Sequence, residues 1–400
     1  MNLPLEGITV VSIEQAVAAP LATRHLADLG ARVIKIERPD GGDFARDYDH
    51  VVDGTGAHFV WLNRGKESLA VDLKTQGGCR AVRQLISAAD VFIQNLAPGV
   101  TQRLGLGSEA LCELNPSLIA VELSGYGIGG PMEQRKAYDM LIQAESGLIS
   151  ITGTPETAVK TGIPTSDIAA GMYACQGILA ALIRRLRTGE GATIDVSMLE
   201  ATVEWNGYGL YTSMFTGRDQ PRMGLGHSSI APYNAYPTSD GQILIGVQND
   251  SGWRSLVADV FEAPLLIDDA RFATNVDRVR NRVECDEVVA EFTCRWPSEE
   301  LSLKLAIAGV PAAQIKTLSE VIDHPQLKAR DRWRTVDTEF SRVPALLPPV
   351  TFADVEAPMG AVPALGQHTV SLLHEAGLES AEIDGLLAAG SVFQAGVLQR

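Results

Sequence analysis

Hydrophobic positions along the chain follow two alternating rhythms. "GITVVSIE" (7–14) is a short β-branched run ending in an acid. "APLATRHLADLGARVIKIERP" then reads as a helix closed by Gly30 and followed by a second strand. The theme repeats: "ESLAVDLK" as strand, "GGCRAVRQLISAA" as helix, "DVFIQNL" as strand, a helix around "EALCELN", and the strand of "LIAVELSGYG". Such βα alternation predicts an α/β fold with a Rossmann-like parallel sheet. Ligands of such sheets gather at the carboxyl ends of strands, where Glu14, Glu37, Lys74, Asn95 and Ser124 stand.

Further on, "DIAAGMYACQGILAALIRRLRTGEG" predicts a long helix closing on Arg184, Arg185 and Arg187 before Gly189. Its first three turns are nearly all small or apolar, so it is expected to be buried against the sheet or another subunit. The character changes near "GRDQPRMGLGHSS", and a strand "GQILIGV" with amphipathic helices such as "SGWRSLVADVF" predicts a smaller α+β domain. The expected division is a large domain over 1–221, completed by 335–400, a small domain over 222–325, and an irregular Pro-rich returning linker over 326–360.

Composition narrows the function. A chain of 400 residues exceeds what one core usually organises. A net charge of −16 argues against nucleic acid or an anionic membrane as partner, so any anionic ligand must be met by local cations. Five cysteines without CxxC or Cys/His spacing predict free thiols, a reducing compartment and no metal. The first residues show no basic n-region and apolar h-region, and no continuous run reaches the ~18 apolar residues of a membrane span. The expectation is a cytoplasmic protein.

Against that background a few polar residues stand out. Asp167 in "GIPTSDIAAG" precedes the apolar helix, where an acid usually caps. Thr165 and Ser166 are already competent caps, and the small residues beyond would give a bulky ligand clearance; a carboxylate there can attack an activated acyl carbon. Lys136, Tyr138 and Asp139 in "KAYDMLIQ" combine an anion-binding cation with an acid that could position or protonate intermediates. Arg38, ending a strand, could meet a phosphate or stack on an adenine. His227 lies in the glycine loop "GLGHSS", whose Gly224 and Gly226 permit movement over a reacting centre. No GxGxxG follows the first strand and no GxSxG elbow occurs, which argues against a dinucleotide enzyme and a serine hydrolase.

The strings "LEGITVVSIEQAVAAP", "LADLGARVIKIERPDGGDFAR", "LNRGKESLAVDLK", "VFIQNLAPGV", "KAYDMLIQAESGL", "GIPTSDIAAGMYACQGILAAL", "RTGEGATIDVSMLEA" and "ALGQHTVSLL" together resemble the class III coenzyme A transferases, in the family's order and across nearly the whole chain. The resemblance implies that Asp167 is a nucleophile forming an acyl anhydride with the donor thioester, that the acceptor acid forms a second anhydride, and that the retained thiolate regenerates a thioester. It implies CoA contacts at Arg38, Leu73, Lys74, Asn95, Leu96, Arg103, Lys136 and Tyr138, an acid near the reacting centre at Asp139, and a mobile loop at Gly224 to Gly226. It also implies an interlocked homodimer, with coenzyme A and acyl-CoA as substrates and no permanently bound cofactor. Val17 stands where the formyl-CoA and oxalate branch has glutamine, which argues against oxalate as acceptor. Tyr138 stands where a 2-methylacyl-CoA racemase would need histidine, which disfavours that alternative; a CoA-thioester binding protein without turnover is the other. The wording resembles members acting from succinyl-CoA on C4 and C5 dicarboxylates such as itaconate, mesaconate or citramalate, with Arg46, Arg64 and His227 as candidate partners for a distal carboxylate.

Overall fold

The structure is a computed structural model and describes residues 3–396. The chain divides into two compact units, the first comprising residues up to Leu148, Lys160–Gly207 and the chain from Arg330 on, the second Ile149–Val159 and Tyr208–Ala329. The second unit therefore begins at Tyr208 rather than at 222, and takes in 149–159, which the strand and helix pattern had left with the first.

In the first unit, strand β1 (Thr9–Ile13) leads into helix α1 (Ala18–Asp28) and strand β2 (Arg32–Glu37). Helix α2 (Ala57–Asn63), strand β3 (Lys66–Val71), helix α3 (Gln76–Ser87) and strand β4 (Val91–Gln94) follow. Short helices α4 (Val100–Arg103) and α5 (Ser108–Leu114) precede β5 (Ile119–Ser124), and α6 (Asp139–Glu145) and α8 (Thr165–Thr188) precede β6 (Ala192–Ser197), with α7 (Leu148–Ile151) lying between them where the chain passes into the second unit. The strands pair in the order β3-β2-β1-β4-β5-β6, all parallel. Val10, Val11, Val33, Ile34, Phe92 and Ile93 are buried because helices cover both faces, which is why these strands read as apolar runs rather than alternating ones. A seventh strand, Val392–Phe393, closes the β3 edge antiparallel. The connections diverge between β1 and β4, and this switch point opens a crevice beyond their carboxyl ends.

Helix α8 packs against α1 through small residues. A Cβ at Gly171 would fall 2.5 Å from the Ala18 carbonyl oxygen, and Ala169, Ala170 and Ala174 are buried in one cluster with Ala18, Ala19 and Ala22. The small residues after Asp167 are therefore helix contacts and not clearance for a ligand. By length and composition α8 could cross a membrane, a property that a search for unbroken apolar runs overlooks. Half of its most apolar window is buried, against α1 and the sheet.

The second unit holds the antiparallel strands Tyr233–Pro237, Gln242–Gly246 and Ala312–Gln314, paired in that order, with helices around a core of Trp253, Phe272, Ile243 and Leu301. Buried Arg278 lies over the Trp253 ring and pairs with Asp250 at 2.8 Å. Within the Pro-rich stretch expected to be an irregular linker, Trp333–Asp337 and Arg342–Leu346 form an antiparallel hairpin. An isolated two-stranded ribbon tolerates Pro344 because its strands are edges. The five cysteines are free thiols.

Candidate active site

Loops from the carboxyl ends of β1, β4 and β5 meet the starts of α6 and α8 around a cavity of about 760 Å³, with Asp167 and Asp139 in its wall. The β1 loop is fixed from both sides. The Asn95 carboxamide accepts from the Gln15 N–H and donates to the Gln15 carbonyl, each at 2.9 Å. Asp43 Oδ1 accepts from the N–H groups of Ala16 at 2.9 Å and Ala45 at 3.0 Å, and so holds Ala16 in the left-handed region at φ 61°. Asp43 belongs to a fully buried ion cluster. Lys35 Nζ donates to its Oδ2 at 2.7 Å and lies 3.3 Å from Glu14, which accepts from Lys66 Nζ at 2.7 Å. Burial alone would raise the Glu14 carboxyl; Lys66 and Lys35 outweigh it and hold the group ionised. Burial pushes Lys66 down to about 8, against the pull of Glu14.

Asp167 occupies the first turn of α8, but it does not cap it. The cap comes from α6: Asp139 Oδ1 accepts from the N–H of Ser166 at 2.8 Å and of Asp167 at 3.2 Å, while Oδ2 accepts from Gln143 Nε2 at 2.7 Å. Neither expected cap acts: Thr165 Oγ1 bonds to Thr161 and Ile163, and Ser166 Oγ is buried without a partner. The Asp167 carboxylate is thus left facing the cavity. Burial, and then the like charge of Asp139, push its pKa up to about 7. With both oxygens engaged, Asp139 serves as helix cap and electrostatic neighbour and is not poised to protonate intermediates.

Of the other candidates, Val17, Asn95, Leu96, Lys136 and Tyr138 line the same cavity. Lys136 and Tyr138 are exposed, as an incoming ligand requires. Arg38 stands at its rim, its guanidinium 4.8 Å from the ring of Phe44, a wall residue, and bonded to the Gly42 carbonyl. Leu73 packs in one apolar cluster with Leu96. Lys74 and Arg103 are exposed and outside the lining. Arg46 and Arg64 are not available to a substrate. Arg46 pairs bidentately with buried Glu37 at 2.9 Å and covers the Phe59 ring, and Arg64 pairs bidentately with buried Asp28 at 2.8 to 2.9 Å. Glu14 and Glu37, at strand ends, are likewise consumed by ion pairs.

Gly224, Gly226 and His227 belong to the second unit. There Gly224 donates to the Gly153 carbonyl at 2.7 Å, and the His227 ring stacks on Tyr233 with centroids 5.3 Å apart. Sequence reasoning missed Tyr48 and His58, which line the cavity from the β2–α2 loop and the start of α2. Their only signal was aromatic and imidazole groups in the polar stretch "DFARDYDHVVDGTGAHF". Burial, followed by the charges of Asp43 and Asp167, raises the Tyr48 hydroxyl, which remains a donor. A second cavity of about 300 Å³, walled by Leu29, Cys175, Leu179 and the 347–357 stretch, contains none of these residues.

Fold and site together define an α/β enzyme with a carboxylate pocket at the switch point of its parallel sheet. The chain belongs to CoA-transferase family III, whose profile matches residues 5–369, and it is a class III CoA-transferase. It is 36% identical over 385 residues to the succinate–glutarate CoA-transferase of Agrobacterium fabrum, covering 93% of this chain and 95% of that one. It is also 36% identical over 331 residues to the acetyl-CoA:oxalate CoA-transferase of Acetobacter aceti, covering 82% and 85%. The crystal structure of a CaiB/BaiF family protein from Brucella suis superposes with a TM-score of 0.82 at 35% identity, covering 94% of this chain and all of that one.

Proposed function

We propose that the enzyme moves CoA from succinyl-CoA to a small dicarboxylate through anhydrides on Asp167. The observation that carries this is a carboxylate at the pocket wall that is relieved of capping and raised to about 7 by burial and Asp139. An Asp167 oxygen attacks the thioester carbon, the C–S bond breaks, and CoA leaves as a thiolate that stays bound. The acceptor carboxylate attacks the Asp167 acyl carbon and displaces succinate, giving the second anhydride. The thiolate then attacks the acceptor's acyl carbon, forms the new thioester and frees Asp167. An anhydride is energetic enough to return its acyl group to sulfur; a serine ester would not be. Arg135, Lys136 and Lys160 in the wall supply local positive charge for the polyanionic CoA on a chain of net charge −16.

The relatives' names favour a dicarboxylate but span glutarate and oxalate at equal identity. The buried apolar Val17 at the wall, with a pocket of about 760 Å³, favours a four- or five-carbon acid over oxalate. A homodimer is supported by helix Gly207–Thr216, which leaves Tyr211, Met214 and Phe215 67%, 73% and 83% exposed, an apolar face of the kind that marks an interface. The site in the cytoplasm is part of the same reading, since free thiols suit a reducing compartment. The test is CoA transfer from succinyl-CoA to a panel of acids: Asp167→Asn is expected to lose at least about 10³-fold in kcat, as removal of a covalent nucleophile does. Retention of wild-type turnover by that variant would refute the mechanism.

A further inference from the structure

Helix α8 takes its cap from another helix, because Asp139 belongs to α6, and a borrowed cap has to be held in place. The usual alternative is closed by the sequence. Asp167 is the third residue of α8, from which an acid normally reaches back to the N–H of the capping residue, but that residue is Pro164, which has none. Gln143, one turn on from Asp139 in α6, supplies the hold. Its side chain is fully buried, behind the cavity wall and not part of it. Gln143 Oε1 accepts from the Thr161 N–H at 3.0 Å, which turns Nε2 to Asp139 Oδ2 at 2.7 Å and to the Ile163 carbonyl at 3.5 Å. A backbone N–H only donates and a carbonyl only accepts, so the carboxamide fits in one orientation. Thr161 is anchored in turn, its Oγ1 donating to the Ile163 carbonyl at 2.8 Å. The carboxamide thus ties α6 to the 161–163 segment that leads into α8.

We propose that Gln143 is a positioning residue for the nucleophile: it holds the Asp139 carboxylate by Oδ2 where Oδ1 caps α8, and so keeps the Asp167 carboxylate free of capping and turned to the cavity. The assignment rests on the reading of Asp167 as nucleophile. Without the Nε2 donor, Asp139 turns outward to the cations of the wall, and the Ser166 N–H falls to Asp167, as it does to an ordinary acid at a helix start. Asp167 bonded to an N–H and farther from a like charge is a stronger acid and a weaker nucleophile. The other charged and titratable side chains that share this cavity wall stay as they are: Arg135, Lys136, Tyr138 and Lys160 on the approaches to α6 and α8, Tyr48 and His58 on the side of α2.

The test is label exchange between 13C-succinate and succinyl-CoA on the full-length enzyme, which needs no second acid and whose kcat/KM for succinyl-CoA reports the first attack alone. Gln143→Leu should lower kcat about 10- to 100-fold and move the acid limb of kcat/KM about one pH unit below that of wild type. A loss of packing alone would lower activity at every pH and leave the limb where it is. Gln143→Glu keeps the shape and the Thr161 contact. Its new carboxyl donates to Asp139 while protonated and repels it once ionised, so the wild-type plateau becomes a bell that falls on the alkaline side. An unmoved limb in folded Gln143→Leu, or a wild-type plateau in Gln143→Glu, overturns the assignment and leaves the transferase intact; if Gln143→Leu does not fold, Gln143→Glu decides alone. Exchange retained by Asp167→Asn, or none by wild type, overturns the reading of Asp167 on succinyl-CoA and this assignment with it.

Discussion

As the proposed nucleophile Asp167 must be ionised to attack, yet its surroundings favour the acid. With a pKa near 7 in the folded protein, kcat/KM for acyl-CoA is expected to rise with unit slope below about pH 7 and to level above it. Asp139→Asn removes the like charge and should move that limb to lower pH, measured as a pH profile of kcat/KM. The stability consequence has a definite sign. An acid whose folded pKa exceeds the ordinary 3.8 binds its proton more tightly when folded, so its contribution is full below about pH 4 and is lost as pH rises through 7. Asp167→Asn should therefore be more stable than wild type at pH 8, on the order of 1 to 2 kcal/mol, with the advantage vanishing near pH 4. Thermal melts at both pH values measure it. The residue itself was legible in the sequence. Its freedom from capping was not, because the true cap, Asp139, lies on another helix.

Among the elements, α1 and α8 and the ion cluster beneath the β1 loop hold the pocket in shape. Gly171→Ala places a methyl group against the Ala18 carbonyl and should cost about 1 to 3 kcal/mol in urea unfolding, despite alanine's better helix propensity. Asp43→Ala takes from buried Lys35 its 2.7 Å partner and releases the Ala16 N–H; a loss of about 3 to 5 kcal/mol is expected, with a fall in kcat/KM as the loop loosens. The strands β1 to β5 and helix α8 could be read from periodicity because each signal is local. The cluster could not be read: Glu14, Lys35, Asp43 and Lys66 come from four segments, and each alone resembles an ordinary strand-end or turn charge. For the same reason Arg46 and Arg64 read as available in the sequence, although buried acids on other segments pair with both.

For the whole molecule, the acidic balance and the basic wall of the pocket oppose one another. Added salt should raise the KM for acyl-CoA by screening Lys136 and its neighbours, with kcat little changed, in assays across an ionic-strength series. The parallel sheet and a site at the carboxyl ends of its strands follow from the βα rhythm; the strand order and the switch point between β1 and β4 do not, because handedness alone does not fix which strands are neighbours. The boundary of the second unit was less legible because it recruits 149–159, a segment distant in sequence from the rest. The proposed mechanism puts one carboxylate, that of Asp167, at the centre of the chemistry. The most direct test is mass spectrometry of the protein incubated with succinyl-CoA and quenched with hydroxylamine, which converts an aspartyl anhydride to a hydroxamate. The hydroxamate is expected on the peptide carrying Asp167, and to be absent without succinyl-CoA. CoA transfer at the wild-type rate with Asp167 unmodified throughout would contradict the account.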